Sequence, residues 1–344
     1  MTPRCARRPG MTSRLSTGKV PRDLLTRLVY SQLGAVRPDV LVHAQFGEDC
    51  AVIDFGEEVA VLTTDPITGA GSDLGWYAVF VATNDLAAAG AEPVALALTV
   101  LLAPDRAVED LGQVMQDAAA AARTVGVEIA GGHSEVTGGI DRTIVIVTGL
   151  GRAAKNRVLR SGGARPGDAL LMTKGAGVEG TAILARALED RLTAALGAEA
   201  VSAAKTFREQ ISVLPEARAA AQAGASAMHD VTEGGVLGAA YEMAAASGIG
   251  IRVDADRAPV RPETAAICRE LRIDPLGLIG SGALLVATPD PARTLAAIRE
   301  AGILATQMGE FLPHDRWVRR DGRDLPLAPP AVDELWRALN AGTP

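Results

Sequence analysis

The stretch VFVATNDLAAAGAEP, residues 79–93, is apolar almost throughout, yet it carries Asn84 and Asp85 at its centre. Its alanines favour a helix and Gly90 supplies a stop. Asp is a poor helix former and is almost never fully buried without a partner. A lone buried carboxylate is costly enough that it takes up a proton instead. A helix is therefore expected over about 73–89, packed inside the protein, with Asp85 turned toward other polar groups.

Working outward, AVIDF (51–55) and EVAVLTTD (58–65) read as strands before this helix, and Val94–Leu102 reads as a buried strand after it. PRDLLTRLVYSQLGA (21–35) reads as a helix with Pro21 in its first turn, and 108–126 as an amphipathic helix stopped by Gly126. Strands are expected at 127–130 and 142–151, flanking a Gly-rich loop. Residues 152–168 are polar, basic and rich in Gly and Pro, which suits a domain boundary. Beyond it, strands are expected at 168–174, 250–253 and 280–288, with helices between them and HDVTEGG (229–235) as a loop opening onto a helix. This alternation places the chain between α/β and α+β. The expected layout is a disordered basic tail over 1–17, an N-terminal domain over 18–155, a C-terminal α+β domain over 165–312 and a C-terminal extension over 313–344.

The 344 residues suffice for two domains, and 48% hydrophobic content with only 3% aromatics calls for a core of Val, Leu, Ile and Ala. A net charge of −7 argues against nucleic acid as a partner, because such binding depends on neutralising phosphates. The three cysteines, Cys5, Cys50 and Cys268, form no paired motif and read as free thiols in a reducing cytosol. No apolar run approaches the ~18 residues of a membrane helix, and the basic N-terminus has no apolar core of a secretory signal. A cytoplasmic protein with no membrane partner is expected.

Four aspartates share a setting. Asp49 precedes a strand, Asp65 ends one before Pro66, Asp85 lies in the helix, and Asp230 stands in HDVTEGG. Singly, Asp49 suits a turn, Asp65 a turn start and Asp230 a helix cap. Together with a divalent cation they would supply the company Asp85 needs, since Mg2+ takes hard oxygen ligands. The Gly-dense GGHSEVTGG (131–139), with Gly131, Gly132, His133, Ser134 and Glu135, could let backbone amides approach a phosphate, or it is a long hairpin. Thr232, Gly234 and Gly235 open a helix whose N-terminus favours an anion. MTKGAGVEG (172–180) passes from strand to helix with Lys174 at hand, but the GxxxxGK[ST] spacing is absent, and neither GxGxxG after a strand nor GxSxG occurs.

In order, GEDCAV (47–52), TTDP (63–66), TNDLAAAGAEP (83–93), GGHSEVT (131–137), HDVTEGGVLGA (229–239) and GSGALLVA (280–287) resemble the motifs of the AIR-synthetase-like ATP-binding superfamily. That superfamily embraces aminoimidazole ribonucleotide synthetase, selenophosphate synthetase, thiamine-monophosphate kinase and HypE. The resemblance spans about residues 18–312 and is strongest to the HypE-like branch, through GKVPRDLL, TTDPITGA and the HD-TEGG loop. It implies a two-domain fold whose N-terminal domains pair into a dimer barrel. It implies ATP held through Mg2+ by Asp49, Asp65, Asp85 and Asp230, and attack of a substrate atom on a terminal phosphate. Lys19 matches the lysine before the first helix of selenophosphate synthetase, but Ser16 and Gly18 stand where that enzyme needs a chalcogen. His133 stands where relatives carry an aspartate; imidazole is a poor Mg2+ ligand, so Glu135 would supply the oxygen while His133 meets phosphate or serves the loop. Asn84 would contact the nucleotide or tie down its helix. HypE ends in a cysteine that carries a carbamoyl group, whereas no cysteine follows Cys268 here. The resemblance thus implies an ATP- and Mg2+-dependent enzyme that activates an oxygen of a small molecule or of a modified protein group, with a hydrogenase-maturation protein as a possible partner. Its alternatives are a small-molecule kinase of the thiamine-monophosphate type and a non-catalytic nucleotide-binding assembly factor.

Overall fold

A computed structural model describes residues 18–68, 73–328 and 330–340. The tail expected over 1–17, with Cys5 and Ser16, lies outside them. Two sheets organise the chain. The first contains β1 (Val40–Val42), β2 (Ala51–Asp54), β3 (Glu58–Ile67), β4 (Glu92–Leu102), β5 (Glu128–Val136) and β6 (Ile144–Ala154), in the order β1-β2-β3-β6-β4-β5. Its helices are α1 (Arg22–Leu28), α2 (Leu74–Ala88) and α3 (Val108–Val125). Only the β4–β5 pair is parallel, joined through α3 as a crossover requires.

The second half contributes β7 (Ala169–Thr173), α4 (Val178–Ala187), α5 (Glu189–Leu196), α6 (Ala198–Lys205), α7 (Leu214–Ala223), β8 (Ala227–Asp230), α8 (Gly235–Ala246), β9 (Gly250–Asp254) and α9 (Pro262–Leu271). β10 (Leu284–Thr288), α10 (Pro291–Glu300), β11 (Ala305–Leu312), β12 (Arg316–Arg320), β13 (Arg323–Pro326) and α11 (Glu334–Asn340) complete it. The second sheet runs β13-β12-β9-β11-β7-β10-β8. The segment expected as a C-terminal extension supplies two of these strands, with β12 parallel to β9, and Leu335 and Ala338 of α11 are buried.

Every residue of α2 except Trp76 is buried, as befits a helix that is apolar on all sides. It packs on β3 and β6 of the first sheet, on α3, and on β8 and α7 of the second half. Gly75 makes the α2–α3 approach possible: a Cβ there would lie 1.9 Å from the carbonyl oxygen of Val114. The large apolar core joins α2, α3, β4 and β6 to α4, α6 and Phe207, so one body of side chains bridges the halves.

Four local expectations change. Residues 131–136 are not loop: they extend β5, paired in register with Ala97–Leu102 of β4. Asp65–Pro66 does not turn, because β3 continues to Ile67 opposite Val145. His229 and Asp230 close strand β8 rather than lying in a loop. The first helix covers only Arg22–Leu28, followed by a 3-10 turn at Tyr30–Gln32. No helix among the described residues is long and apolar enough to cross a membrane.

Candidate functional site

Asp85 sits in the last turns of α2, where the helix dipole disfavours a negative charge. It is only 6% exposed. The Thr63 hydroxyl of β3 donates to Asp85 Oδ2 at 2.5 Å and lies 3.3 Å from Asp65 Oδ2. Thr63 and Asp65 share a strand face, two residues apart, and that face meets α2. Asp230, at the end of β8, approaches from the second sheet and is fully buried. Its Oδ2 has no hydrogen-bond partner.

Asp49 completes the group from the turn before β2. It accepts from the Ser161 hydroxyl at 2.9 Å and from His229 Nδ1 at 2.7 Å. Its neighbour Glu48 accepts from Arg160 and from the backbone N–H groups of Ser161 and Gly162. The GED turn thus clamps the segment that opens the second half. His229 Nε2 contacts Glu242 Oε2 at 3.1 Å, and Glu242 in turn accepts from Lys19 Nζ at 3.0 Å. A chain of charges therefore runs from Lys19 through Glu242 and His229 to Asp49.

The electrostatics follow from crowding. Asp85 is raised well above the usual carboxylate range, first by burial and then by Asp65, Asp230 and Asp49. Asp230 is raised mainly by burial, with Asp49 adding to it and His229 opposing it. Asp65 is raised by burial. Such a set cannot all ionise without positive charge nearby. Burial opposes a charge on His229, but Asp49 and Glu242 outweigh it and push the imidazole up to about 10. Both ring nitrogens of His229 face carboxylates, so the ring has no lone pair for a metal, although one atom each of Asp49, His229 and Asp230 lie within 4.8 Å of one another. The hard carboxylate oxygens and the unpartnered Asp230 Oδ2 fit Mg2+ well.

The structure brings Asp49, Asp65, Asp85 and Asp230 together but keeps the β5 residues away. Gly131, Gly132, His133, Ser134 and Glu135 lie on an exposed edge strand. The register runs from Asp65 to Val147, Leu98 and then Gly132, so three strand spacings, about 14 Å, separate them. His133 Nε2 lies 3.1 Å from Glu135 Oε2, and Thr137 donates to Glu135 Oε1. Asn84 is fully buried and committed at both ends: Nδ2 donates to the Ile211 carbonyl, and Oδ1 accepts from Val213 N–H, each at 2.9 Å. Its amide ties α2 to the second half. Lys174 is likewise engaged, on the carbonyls of Ser212 and Gly282 and on Glu216. Thr232 accepts from Lys19 Nζ at 3.5 Å. Gly234 (φ +92°) and Gly235 (φ +61°) start α8, and a Cβ on Gly235 would meet the Leu276 carbonyl at 2.6 Å. The anion at this helix start is the chain's own Asp333, whose Oδ2 accepts from Gly234 N–H at 2.6 Å.

Thr63, Ser161, His229 and Glu242 belong to the site but carry no role in the sequence reading. His229 adjoins Asp230, and that adjacency was its one signal. Its partner Asp49 is 180 residues away.

The family profiles "AIR synthase related protein, N-terminal domain" and "AIR synthase related protein, C-terminal domain" match residues 47–153 and 165–320. Carbamoyl dehydratase HypE of Rhodobacter capsulatus is 31% identical over 289 residues, covering 82% of this chain and 82% of the relative. The chain belongs to the AIR-synthase-related family. A thiamine-monophosphate kinase of Methanospirillum hungatei is 31% identical over 228 residues, 63% of this chain and 71% of that protein. Among solved structures, E. coli HypE superposes with a TM-score of 0.71 at 25% identity, covering 92% of this chain and 100% of that one. HypE in complex with ATP gives 0.69 at 23% identity over 93% and 97% of the two chains. HypE from a HypE–HypF complex gives 0.69 at 24% identity over 89% and 99%. The fold class and the HypE-like kinship expected from the motifs both hold.

Proposed function

We propose that this protein is an ATP- and Mg2+-dependent enzyme of the HypE-like branch. It activates an oxygen of a small molecule or of a modified protein group by phosphoryl transfer. The observation that carries this reading is the convergence of Asp49, Asp65 and Asp85 from the first half and Asp230 from the second, with Asp230 Oδ2 buried and unpartnered. Similarity to HypE, which is named carbamoyl dehydratase and is solved with ATP, supports the nucleotide.

Asp65, Asp85 and Asp230, with Asp49 beside them, would hold Mg2+. When bound, that ion supplies positive charge for the carboxylates and for a triphosphate at once. Thr63 fixes Asp85 by donating to it, and His229 with Ser161 fixes Asp49. Lys19, half-exposed at the outer end of the charge chain, would meet a phosphate oxygen. The β5 residues His133, Ser134 and Glu135 lie too far across the sheet to join the cluster within one subunit. Any part they take in catalysis runs through a substrate that spans the sheet or through a second copy.

A homodimer is part of the same reading. Leu62 and Leu150 are cross-strand partners on the first sheet, and both are exposed, as is Val94 nearby. An apolar sheet face of this kind suits pairing with a second copy. A second protein as a further partner would follow by analogy with the HypE–HypF complex.

The test is ADP release in the presence of Mg2+ and ATP, with candidate acceptors and with a maturation partner added in turn. Turnover with a protein-borne acceptor supports the HypE-like reading. Strict dependence on a thiamine phosphate favours the kinase reading. ATP binding without turnover under every condition points to an assembly factor.

A further inference from the structure

The loop 232–235 begins two residues after Asp230 and is gripped by residues 18–19 on one side and 333–336 on the other. On the N-terminal side, Lys19 reaches Thr232, and Gly18 lies so close that a Cβ on it would be 3.1 Å from Glu233 Oε1. On the C-terminal side, Asp333 is only 2% exposed. Its Oδ2 accepts from Gly234 N–H at 2.6 Å, and its Oδ1 accepts from Leu335 N–H at 2.7 Å and Ile279 N–H at 3.2 Å. Trp336 Nε1 donates to Glu233 Oε1 at 3.2 Å. Leu335 and Ala338 anchor the segment by packing into the core that includes Val178 and Ala182 of α4.

These contacts have one geometric effect. Gly234 and Gly235 both hold positive φ, a conformation with no side chain to restrain it. The turn holds one internal bond, Gly235 N–H to the Thr232 carbonyl at 3.0 Å, and an outside tether narrows its freedom further. Asp333 is that tether, and through Ile279 the same carboxylate also fixes the backbone just ahead of the GSGALLVA motif. A charge-assisted bond to a backbone N–H is among the stronger hydrogen bonds available.

We propose that the segment Asp333–Trp336 is a positioning strap for the site: it holds loop 232–235 and thereby fixes Thr232 and the end of the strand that presents Asp230. The proposal rests on the reading that Asp230 and Thr232 serve a Mg2+–nucleotide site. Asp333 and Trp336 act through the loop and touch no reacting atom.

The test pairs two measurements on the full chain as wild type, Asp333→Ala, Asp333→Asn and Trp336→Phe. Hydrogen exchange without nucleotide follows the peptide spanning 231–238, with a peptide from β4 as the internal control. Calorimetry gives the Kd for Mg2+–ATP under conditions where circular dichroism shows each variant folded. The expected result is exchange in 231–238 about tenfold faster in Asp333→Ala, the equivalent of one lost hydrogen bond. Asp333→Asn falls between it and wild type, and the β4 peptide is unchanged. The Kd rises in parallel. Trp336→Phe keeps an aromatic ring at the position, removes the indole N–H together with the five-membered ring that carries it, and shows a smaller change in the same direction; it carries the test should Asp333→Ala fail to fold. Unchanged exchange in 231–238, or faster exchange with an unaltered Kd, overturns the strap. A wild type that binds no Mg2+–ATP overturns the nucleotide reading, and with it the strap's role at a nucleotide site. In that case the exchange measurement still shows whether Asp333 tethers the loop.

Discussion

Replacing Asn84 with alanine separates a structural tie from a ligand contact. The side chain is fully buried and makes two hydrogen bonds of 2.9 Å to the backbone at Ile211 and Val213. The alanine variant leaves that carbonyl and that N–H without partners in a place water does not reach. Each stranded buried group costs about 1–3 kcal/mol, so a total loss of about 2–6 kcal/mol is expected for the two. The segment 211–213 is also held by Lys174 through the Ser212 carbonyl, so the damage stays local. Denaturant unfolding of wild type and Asn84→Ala measures the loss, and calorimetry on the folded variant measures Mg2+–ATP affinity. Because both ends of the amide are engaged, the stability loss should exceed any change in binding free energy. A loss below about 1 kcal/mol, or a large drop in affinity with stability intact, refutes the reasoning and returns Asn84 to the nucleotide.

Two further outcomes follow. Glu179 is 5% exposed and pushed up to about 7, first by burial, with Asp333 and Glu233 adding to it against hydrogen bonds from Ser281. Its folded value lies above its unfolded one, so the native state keeps a proton that the unfolded chain has lost. Stability therefore falls as pH rises from about 4.5 to about 7, by on the order of 3 kcal/mol, and then levels off. Glu179→Gln should flatten that slope in unfolding curves taken across this window, and a slope equal to that of wild type would contradict it. Light scattering at micromolar concentration should give a dimer mass, which Leu62→Glu with Leu150→Glu should halve; a monomeric wild type counts against pairing through this sheet face.

Much of the fold was legible because its signals are local. The run 79–89 with Gly90 behind it announced α2, and its two polar residues announced that something polar lay on either side. What lay there could not be read from spacing. Asp85 and Asn84 are neighbours in sequence, yet one faces three aspartates and the other the backbone at 211–213. The start of β5 was legible at 127–130, but its continuation through 131–136 was missed because Gly131–Ser134 has low strand propensity; pairing with β4 overrides it. Asp65 before Pro66 looked like a turn because the continuing partner, β6, is some 80 residues further along. His229 with Asp49, and Asp333 with Gly234, are pairs that only the meeting of distant segments creates. The ordered motifs reached the four aspartates, but they were silent on the residues that hold those aspartates in place.

The central claim is that the four carboxylates form one cation-dependent nucleotide site. Calorimetry of ATP binding to wild type and Asp85→Asn, each with and without Mg2+, tests it most directly. Asn keeps the size of Asp85 and its acceptor for Thr63 while removing the charge. The account predicts tight binding to wild type only when Mg2+ is present, and a Mg2+-dependent gain that is lost or sharply reduced in Asp85→Asn. Equal affinity of the two proteins in the presence of Mg2+ would contradict it.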